Sequence, residues 1–259
     1  MSHHLTVDDR CLIVDDLRCV FGGVQAVDGA SFACREGQIT GLIGPNGAGK
    51  STVLNAIAGQ VRAVGGSIRY RGADILGRPP HRIARLGISR TFQLANVFDR
   101  MTVLENLLLG ARPGRSDSFL GALRGARAWS TWETEQVDKA RELLSRCGLS
   151  QFEDHYAGLL SGGQKRLVEI SRALMSGAEF VLLDEPMAGV NPSLAEQIGE
   201  YLMSLATGGL SMLMVEHEMS VVSDLCETVV VMAQGDVIMV GTMDEIRRDQ
   251  GVVDAYLVG

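Results

Sequence analysis

The run Gly44-Pro45-Asn46-Gly47-Ala48-Gly49-Lys50-Ser51 is rich in glycine and ends on a cation and a hydroxyl. Backbone that wraps a phosphate closely needs side chains to be absent at several positions. The amide N–H groups of such a loop, and the N-terminus of the helix after it, then point at the anion. Lys50 supplies a point charge for the terminal phosphates, and the Ser51 hydroxyl can ligate Mg²⁺. The spacing fits G-x-x-x-x-G-K-[ST], and Gly44 to Thr52 are the candidate nucleotide-binding residues. A glycine-rich turn without a ligand is the competing reading. The apolar strand expected before the loop and the helix expected after it weigh against that.

A second chemical run is Phe180-Val181-Leu182-Leu183-Asp184-Glu185. Four apolar residues make a buried strand that delivers Asp184 to its carboxyl end, where open α/β sheets bind ligands. One acid there can hold Mg²⁺. The adjacent acid points differently and can polarise a water. Alone the pattern is common; beside a phosphate loop it gains meaning.

A third run, Leu160-Ser161-Gly162-Gly163-Gln164, precedes an expected helix and makes a second helix N-terminus suited to an anion. A simple capping turn is the alternative. With the two motifs above, in the same order along the chain, it resembles the signature sequence of the ABC ATPase family, and the resemblance covers nearly the whole chain. It implies an α/β fold: a P-loop NTPase (RecA-like) core with an antiparallel β subdomain and an inserted α-helical subdomain. It implies that two subunits pack head to tail, each ATP lying between the phosphate loop of one and the Ser161, Gly162, Gly163 and Gln164 segment of the other.

The same resemblance places further residues. Gln93 matches the glutamine loop that senses Mg²⁺ and the attacking water and hinges the helical lobe. His217 matches the switch histidine that contacts the γ-phosphate. Phe21 stands where the family stacks an aromatic ring, usually tyrosine, on adenine; a core phenylalanine is the other reading. Ala188 to Asn191 occupies the dimer-contact loop, with Asn191 where many members have Asp. The implied site therefore comprises catalytic Glu185, His217 and Gln93, with ATP as nucleotide and Mg²⁺ held by Ser51, Gln93 and Asp184.

Particular segments resemble the ATPases of branched-chain amino-acid importers: Arg90 to Gln93, Val97 to Asn106, Ala188 to Pro192, Val215 to Met219 and Val253 to Leu257. The function implied is ATP hydrolysis driving solute import through a separate permease, with a solute-binding protein taking part indirectly. The ATPase of a urea or amide importer, of a lipopolysaccharide exporter, or of a soluble non-transport system is the alternative. The partner ATPase is a second copy or a related subunit. Phe98, Arg100 and Met101 are candidates for the permease groove, or else for ordinary lobe packing.

These residues need elements to hold them. Gln38 to Ile43 reads as the strand before the loop and Lys50 to Ala58 as the helix after it, stopping at Gly59. Leu12 to Ser31, Val64 to Tyr70 and Asp74 to Leu76 read as strands, and His81 to Leu86 as a short helix. From residue 94 to 164 strand signals vanish, with helices over Val103 to Leu109 and Trp132 to Cys147 flanking a loose stretch at 112–127. Strand and helix then alternate to Val240, which implies a mainly parallel sheet flanked by helices. The ATPase domain is placed at 5–240, with core 5–93 and 165–240, helical subdomain 94–164, and a helical tail at 241–259 interrupted at Gly251.

Bulk properties narrow the field. The chain has 259 residues, 46% of them apolar, enough for a sizeable core. A net charge of −7 makes broad nucleic-acid binding a poor reading. Lysine occurs only at 50, 139 and 165, and no dense basic run suits anionic lipid. No apolar stretch of about 18 residues exists to span a bilayer. A cytoplasmic protein, peripheral on the inner face of the membrane through its permease, is expected. The five cysteines lack C-x-x-C spacing and read as buried reduced thiols. A ribosome- or DNA-directed ATPase of this family would need a tandem second unit or a long coiled-coil insertion, and there is no N-K-x-D guanine motif.

Overall fold

The structure, a computed structural model, describes residues 10–91, 97–112 and 126–252, with side chains for all of these except 10 and 126–131. The elements in chain order are β1 (Arg10–Phe21), β2 (Val24–Arg35), β3 (Ile39–Ile43), α1 (Lys50–Ile57), β4 (Gly65–Tyr70), β5 (Ala73–Asp74), α2 (Pro80–Arg85) and β6 (Ile88–Arg90). Then come α3 (Val103–Leu108), α4 (Ala126–Arg146) and α5 (Gly162–Met175). The chain continues through β7 (Phe180–Asp184), α6 (Pro192–Thr207), β8 (Ser211–Val215), α7 (Met219–Leu225), β9 (Thr228–Ala233), β10 (Asp236–Gly241) and α8 (Met243–Arg248). These residues form two compact units.

The first unit comprises Met1–Arg90, Glu179–Pro186 and Leu202–Gly259. It holds an antiparallel sheet in the order β2-β1-β4-β5 and a larger one in the order β10-β9-β3-β8-β7-β6. In the larger sheet β9, β3, β8, β7 and β6 are parallel, and only β10 runs antiparallel. Strands β3, β7 and β8 are buried along their whole length. A parallel sheet covered on both faces needs such continuous apolar runs, because neither side of the pleat meets water. The hairpin β1–β2 alternates instead, burying Leu12, Val14, Leu17 and Cys19. Helix α1 packs Val53, Leu54, Ala56 and Ile57 into the same core.

The second unit comprises Thr91–Ala178 and Met187–Tyr201 and contains no strand among its described residues. Helix α5 buries Leu167, Val168, Ile170 and Leu174. Ser171 Oγ and Tyr201 OH meet at 3.0 Å inside this core, so the buried hydroxyls satisfy each other.

Three local outcomes differ from the sequence reading. Helix α4 begins at Ala126, earlier than Trp132, and so takes in the end of the stretch read as loose. Only Ala73–Asp74 pairs as a strand, because the Asp74 carboxylate accepts the Leu76 N–H at 3.0 Å and turns the chain. Helix α8 ends at Arg248, before the expected break at Gly251. Asp249 Oδ1 accepts the Val252 N–H at 3.1 Å, capping a fresh turn. The tail segment 253–257 lies outside the described residues. Among those described, no helix is long and apolar enough to cross a membrane.

Candidate functional site

Sheet order decides what meets. Strand β8 lies between β3 and β7, and all three are parallel. Leu42 of β3 and Asp184 of β7 both pair with Val215 of β8. The glycine-rich loop after β3, the acids ending β7 and the Glu216-His217 step after β8 therefore emerge side by side on one edge.

The loop is held by tight backbone contacts. Gly44 has φ 152 and Gly49 has φ 100. A Cβ at Gly44 would collide with the Met232 carbonyl oxygen, and one at Gly49 with that of Ala26. Glycine is thus required at both positions by conformation and by space. Gly49 precedes α1 without a side-chain cap, which leaves the helix N-terminus to backbone amides and whatever anion they meet. The Lys50 ammonium donates to Gly44 O at 2.7 Å and to Pro45 O at 2.9 Å. One of its three N–H donors remains for a phosphate oxygen. Burial lowers the Lys50 pKa, and the Glu185 and Asp184 carboxylates oppose that shift. Ser51, Asn46 and Gly47 are exposed, whereas Ala48 is buried.

Glu185 stands in the left-handed region, φ 50, a costly conformation for a residue with a side chain. Its N–H donates to Val215 O at 3.0 Å, which holds the turn. His217 Nε2 lies 2.7 Å from Glu185 Oε1. Asp184 is buried and receives Arg90 Nη2 on Oδ2 at 2.9 Å. The same guanidinium donates through Nη1 to Asn55 Oδ1 and to Gln60 Oε1.

Phe21 ends β1 and is 46% exposed, so it is not a core residue. Its neighbour across the turn, Val24, is 68% exposed. Strand β2 returns past the loop, and Gly235 ties the two together by donating to Ala48 O at 3.2 Å and accepting from Asp28 N at 2.8 Å.

In the second unit, Ser161 Oγ accepts the Gln164 N–H at 3.3 Å, and Gln164 Oε1 accepts the Ser161 N–H at 2.9 Å. This reciprocal cap starts α5 directly at Gly162, despite glycine's poor helix propensity. Ser161 and Gly162 are exposed and Gly163 is buried. Asn191 Oδ1 accepts the Leu194 N–H at 3.0 Å and so caps α6, whose first residue is Pro192. Phe98 is 54% exposed with the Arg172 guanidinium 5.7 Å from its ring centroid. Arg100 is exposed and Met101 half-buried. Gln93 lies outside the described residues.

A protein-family model described as ABC transporter matches residues 27–188. The chain belongs to the ABC transporter family. "Probable branched-chain amino acid transport ATP-binding protein LivG" of Archaeoglobus fulgidus is 40% identical over 248 residues, covering 96% of this chain and 95% of that one. "High-affinity branched-chain amino acid transport ATP-binding protein BraF" of Pseudomonas aeruginosa is 38% identical over 247 residues, covering 95% and 97%. A solved nucleotide-free ATP-binding cassette from an ABC transporter aligns with TM-score 0.81 at 37% identity, covering 95% of this chain and 98% of that one. A cassette solved in its ADP conformation aligns with TM-score 0.81 at 35% identity, covering 96% and 99%.

This ABC transporter chain is thus an ATP-binding, ATP-hydrolysing subunit, and the P-loop α/β fold expected for it is the one present. Of the residues picked from the sequence, Gly44 to Thr52, Asp184, Glu185 and His217 come together in the first unit, and Ser161 to Gln164 sit in the second. The sequence reading missed Arg90 as a member of the site, quoting it only for family likeness. It also missed Asn106, fully buried, whose Nδ2 donates to Phe98 O at 3.1 Å and Thr102 O at 2.9 Å while Oδ1 accepts from Phe98 N at 2.8 Å. A polar residue inside an apolar helix pattern was the available signal for Asn106. For Arg90 none existed, since its partners lie 35, 30 and 94 positions away.

Proposed function

We propose that this subunit hydrolyses MgATP to power import of branched-chain amino acids through a separate permease, acting as one half of an ATPase pair on the inner face of the membrane. The 2.7 Å contact between His217 Nε2 and Glu185 Oε1, on the same sheet edge as the Lys50 loop, carries the catalytic part. The names of the relatives support the solute class. The ATPase domain we assign is 5–240, with core 5–93 and 165–240, helical subdomain 94–164 and tail 241–259.

The residues at the edge fit a magnesium nucleotide. Mg²⁺ prefers hard oxygen donors. Ser51 offers an exposed hydroxyl and Asp184 a carboxylate whose Oδ1 remains once Oδ2 has accepted from Arg90. Ser51 and Asp184, with Gln93, would hold the ion, which neutralises charge on the phosphates. Lys50 and the loop amides of Gly44 to Thr52 bind the phosphates, and Phe21 offers its ring to adenine.

Hydrolysis needs positioning and charge neutralisation more than covalent chemistry. Glu185 takes the proton from an in-line water. His217 orients that carboxylate and would contact the γ-phosphate. A second ATPase subunit presents its own signature loop, the counterpart of Ser161 to Gln164, so that nucleotide bridges the pair. Phe98, Arg100 and Met101 form the permease-facing surface in this reading.

The test is reconstitution with the co-purified permease and solute-binding protein in liposomes. ATP-dependent uptake of leucine, isoleucine or valine that stops with Glu185→Gln is the expected result. Uptake of a different solute class alone would overturn the substrate assignment, and transport insensitive to Glu185→Gln would overturn the mechanism.

A further inference from the structure

Arg90 closes β6, next to β7 in the sheet, with its backbone paired to Leu182. Its side chain reaches two elements at once. Nη2 donates to Asp184 Oδ2 at 2.9 Å, and Nη1 donates to Asn55 Oδ1 on α1 and to Gln60 Oε1 at 2.6 Å just beyond that helix. Both ends of the ion pair are shielded, with the Arg90 side chain 14% exposed and that of Asp184 5%.

Asn55 is four residues after Ser51 on α1, so the two share one helix face. The guanidinium therefore links the helix that presents the Ser51 hydroxyl to the strand end that presents Asp184. A planar fork with divergent donors fixes separation and angle in a way that one ammonium cannot. By engaging Oδ2 it also leaves Oδ1 as the Asp184 oxygen available to another partner.

We infer that Arg90 is a positioning residue for the magnesium site, a rigid strut that sets the spacing between Ser51 and Asp184 and directs Asp184 Oδ1 to the metal shell. The inference rests on the proposed magnesium-nucleotide reading. It assigns Arg90 no contact with nucleotide or metal; its action passes through Asp184 and α1.

Partners that orient metal ligands from outside the coordination shell typically alter metal affinity by about 10–100-fold. The experiment measures Mn²⁺ binding to the protein–ATP complex by electron paramagnetic resonance, and ATP binding in excess EDTA by fluorescence. Arg90→Gln and Arg90→Lys are compared with Asp184→Asn, and thermal melts are recorded for each. The expected result is Mn²⁺ affinity weaker by about tenfold or more in Arg90→Gln, with Arg90→Lys recovering little of it and metal-free ATP affinity near wild type. Arg90→Gln should add nothing in an Asp184→Asn background. A role confined to fold stability would lower both affinities together with the melting temperature, and Arg90→Lys would rescue it; that result overturns the inference. Weakened Mn²⁺ binding in Asp184→Asn with wild-type binding in Arg90→Gln overturns it too, leaving the magnesium reading intact. Wild-type Mn²⁺ binding in Asp184→Asn overturns both.

Discussion

His217 Nε2 sits 2.7 Å from Glu185 Oε1, so the imidazole and the carboxylate act as one pair. Glu185 holds a strained backbone angle, φ 50, to present that carboxylate. Strain of this kind persists when surrounding contacts over-determine it, here the Glu185 N–H to Val215 O bond and the His217 contact.

Replacing the proposed base separates binding from chemistry. Glu185→Gln retains a side chain that can still hydrogen-bond His217 but cannot take a proton at neutral pH. ATP binding should persist, and phosphate release should fall at least about 10²-fold. With hydrolysis blocked, the nucleotide-bridged pair should accumulate on size exclusion in MgATP. His217→Ala leaves Glu185 unanchored and should slow steady-state release by about 10²-fold with ATP affinity little changed. Normal turnover in Glu185→Gln would remove the base assignment.

The Lys50 ammonium gives a pH signature with a definite sign. Burial lowers its folded pKa below the ordinary 10.5. Between the lowered value and 10.5 the unfolded chain binds more protons than the folded one at this site, so the group's contribution to stability rises with pH across that window. Lys50→Met should lack this increment. Urea unfolding of both proteins from neutral pH to about pH 10 checks it: the wild-type-minus-variant difference in stability should grow with pH. The same variant should lose nearly all ATP affinity. A difference flat in pH would show that the ammonium is not desolvated in the folded loop.

Thiol chemistry offers an independent check on the core. All five cysteines are buried and free. Burial raises the pKa of Cys11, Cys19, Cys34 and Cys147, and pushes Cys226 up to about 12. The thiolate is the reactive form. The folded protein should therefore show almost no reaction with a chromogenic disulfide near about pH 8, and five thiols should appear on denaturation. Rapid labelling of any one of them in the folded state would contradict its placement.

The motifs were legible because each is local. Gly44 to Ser51 carries its own turn chemistry, and the apolar runs Phe180 to Leu183 and Met212 to Val215 announce buried parallel strands. What the sequence could not show depends on register and on long-range side-chain reach. The Arg90 link to Asp184 exists only because β6 pairs beside β7. The start of α5 at Gly162 reflects a cap that outweighs propensity, and the start of α6 at Pro192 reflects Asn191 filling the same role. The Asn106 bonds that hold Phe98 to Thr102 belong to tertiary structure, and only the residue's polarity hinted at them.

The two glycines of the signature run should respond differently to the same substitution. A Cβ at Gly163 would lie 2.6 Å from Leu194 Cγ and 3.0 Å from Val190 Cγ1, whereas one at Gly162 would meet nothing within 4 Å. Gly163 is therefore required inside this chain, where the start of α5 packs against Val190 and Leu194. Gly163→Ala should destabilise the fold by about 1–3 kcal/mol through overpacking. Gly162→Ala should leave stability unchanged or slightly higher, because alanine is the better helix former. If Gly162 faces nucleotide held by the other ATPase subunit, its added methyl should still suppress hydrolysis in the assembled transporter. Thermal melts and phosphate release on both variants test this. A stable, fully active Gly162→Ala would separate the signature loop from the bridged nucleotide, and a stable Gly163→Ala would show that Leu194 moves aside at no cost.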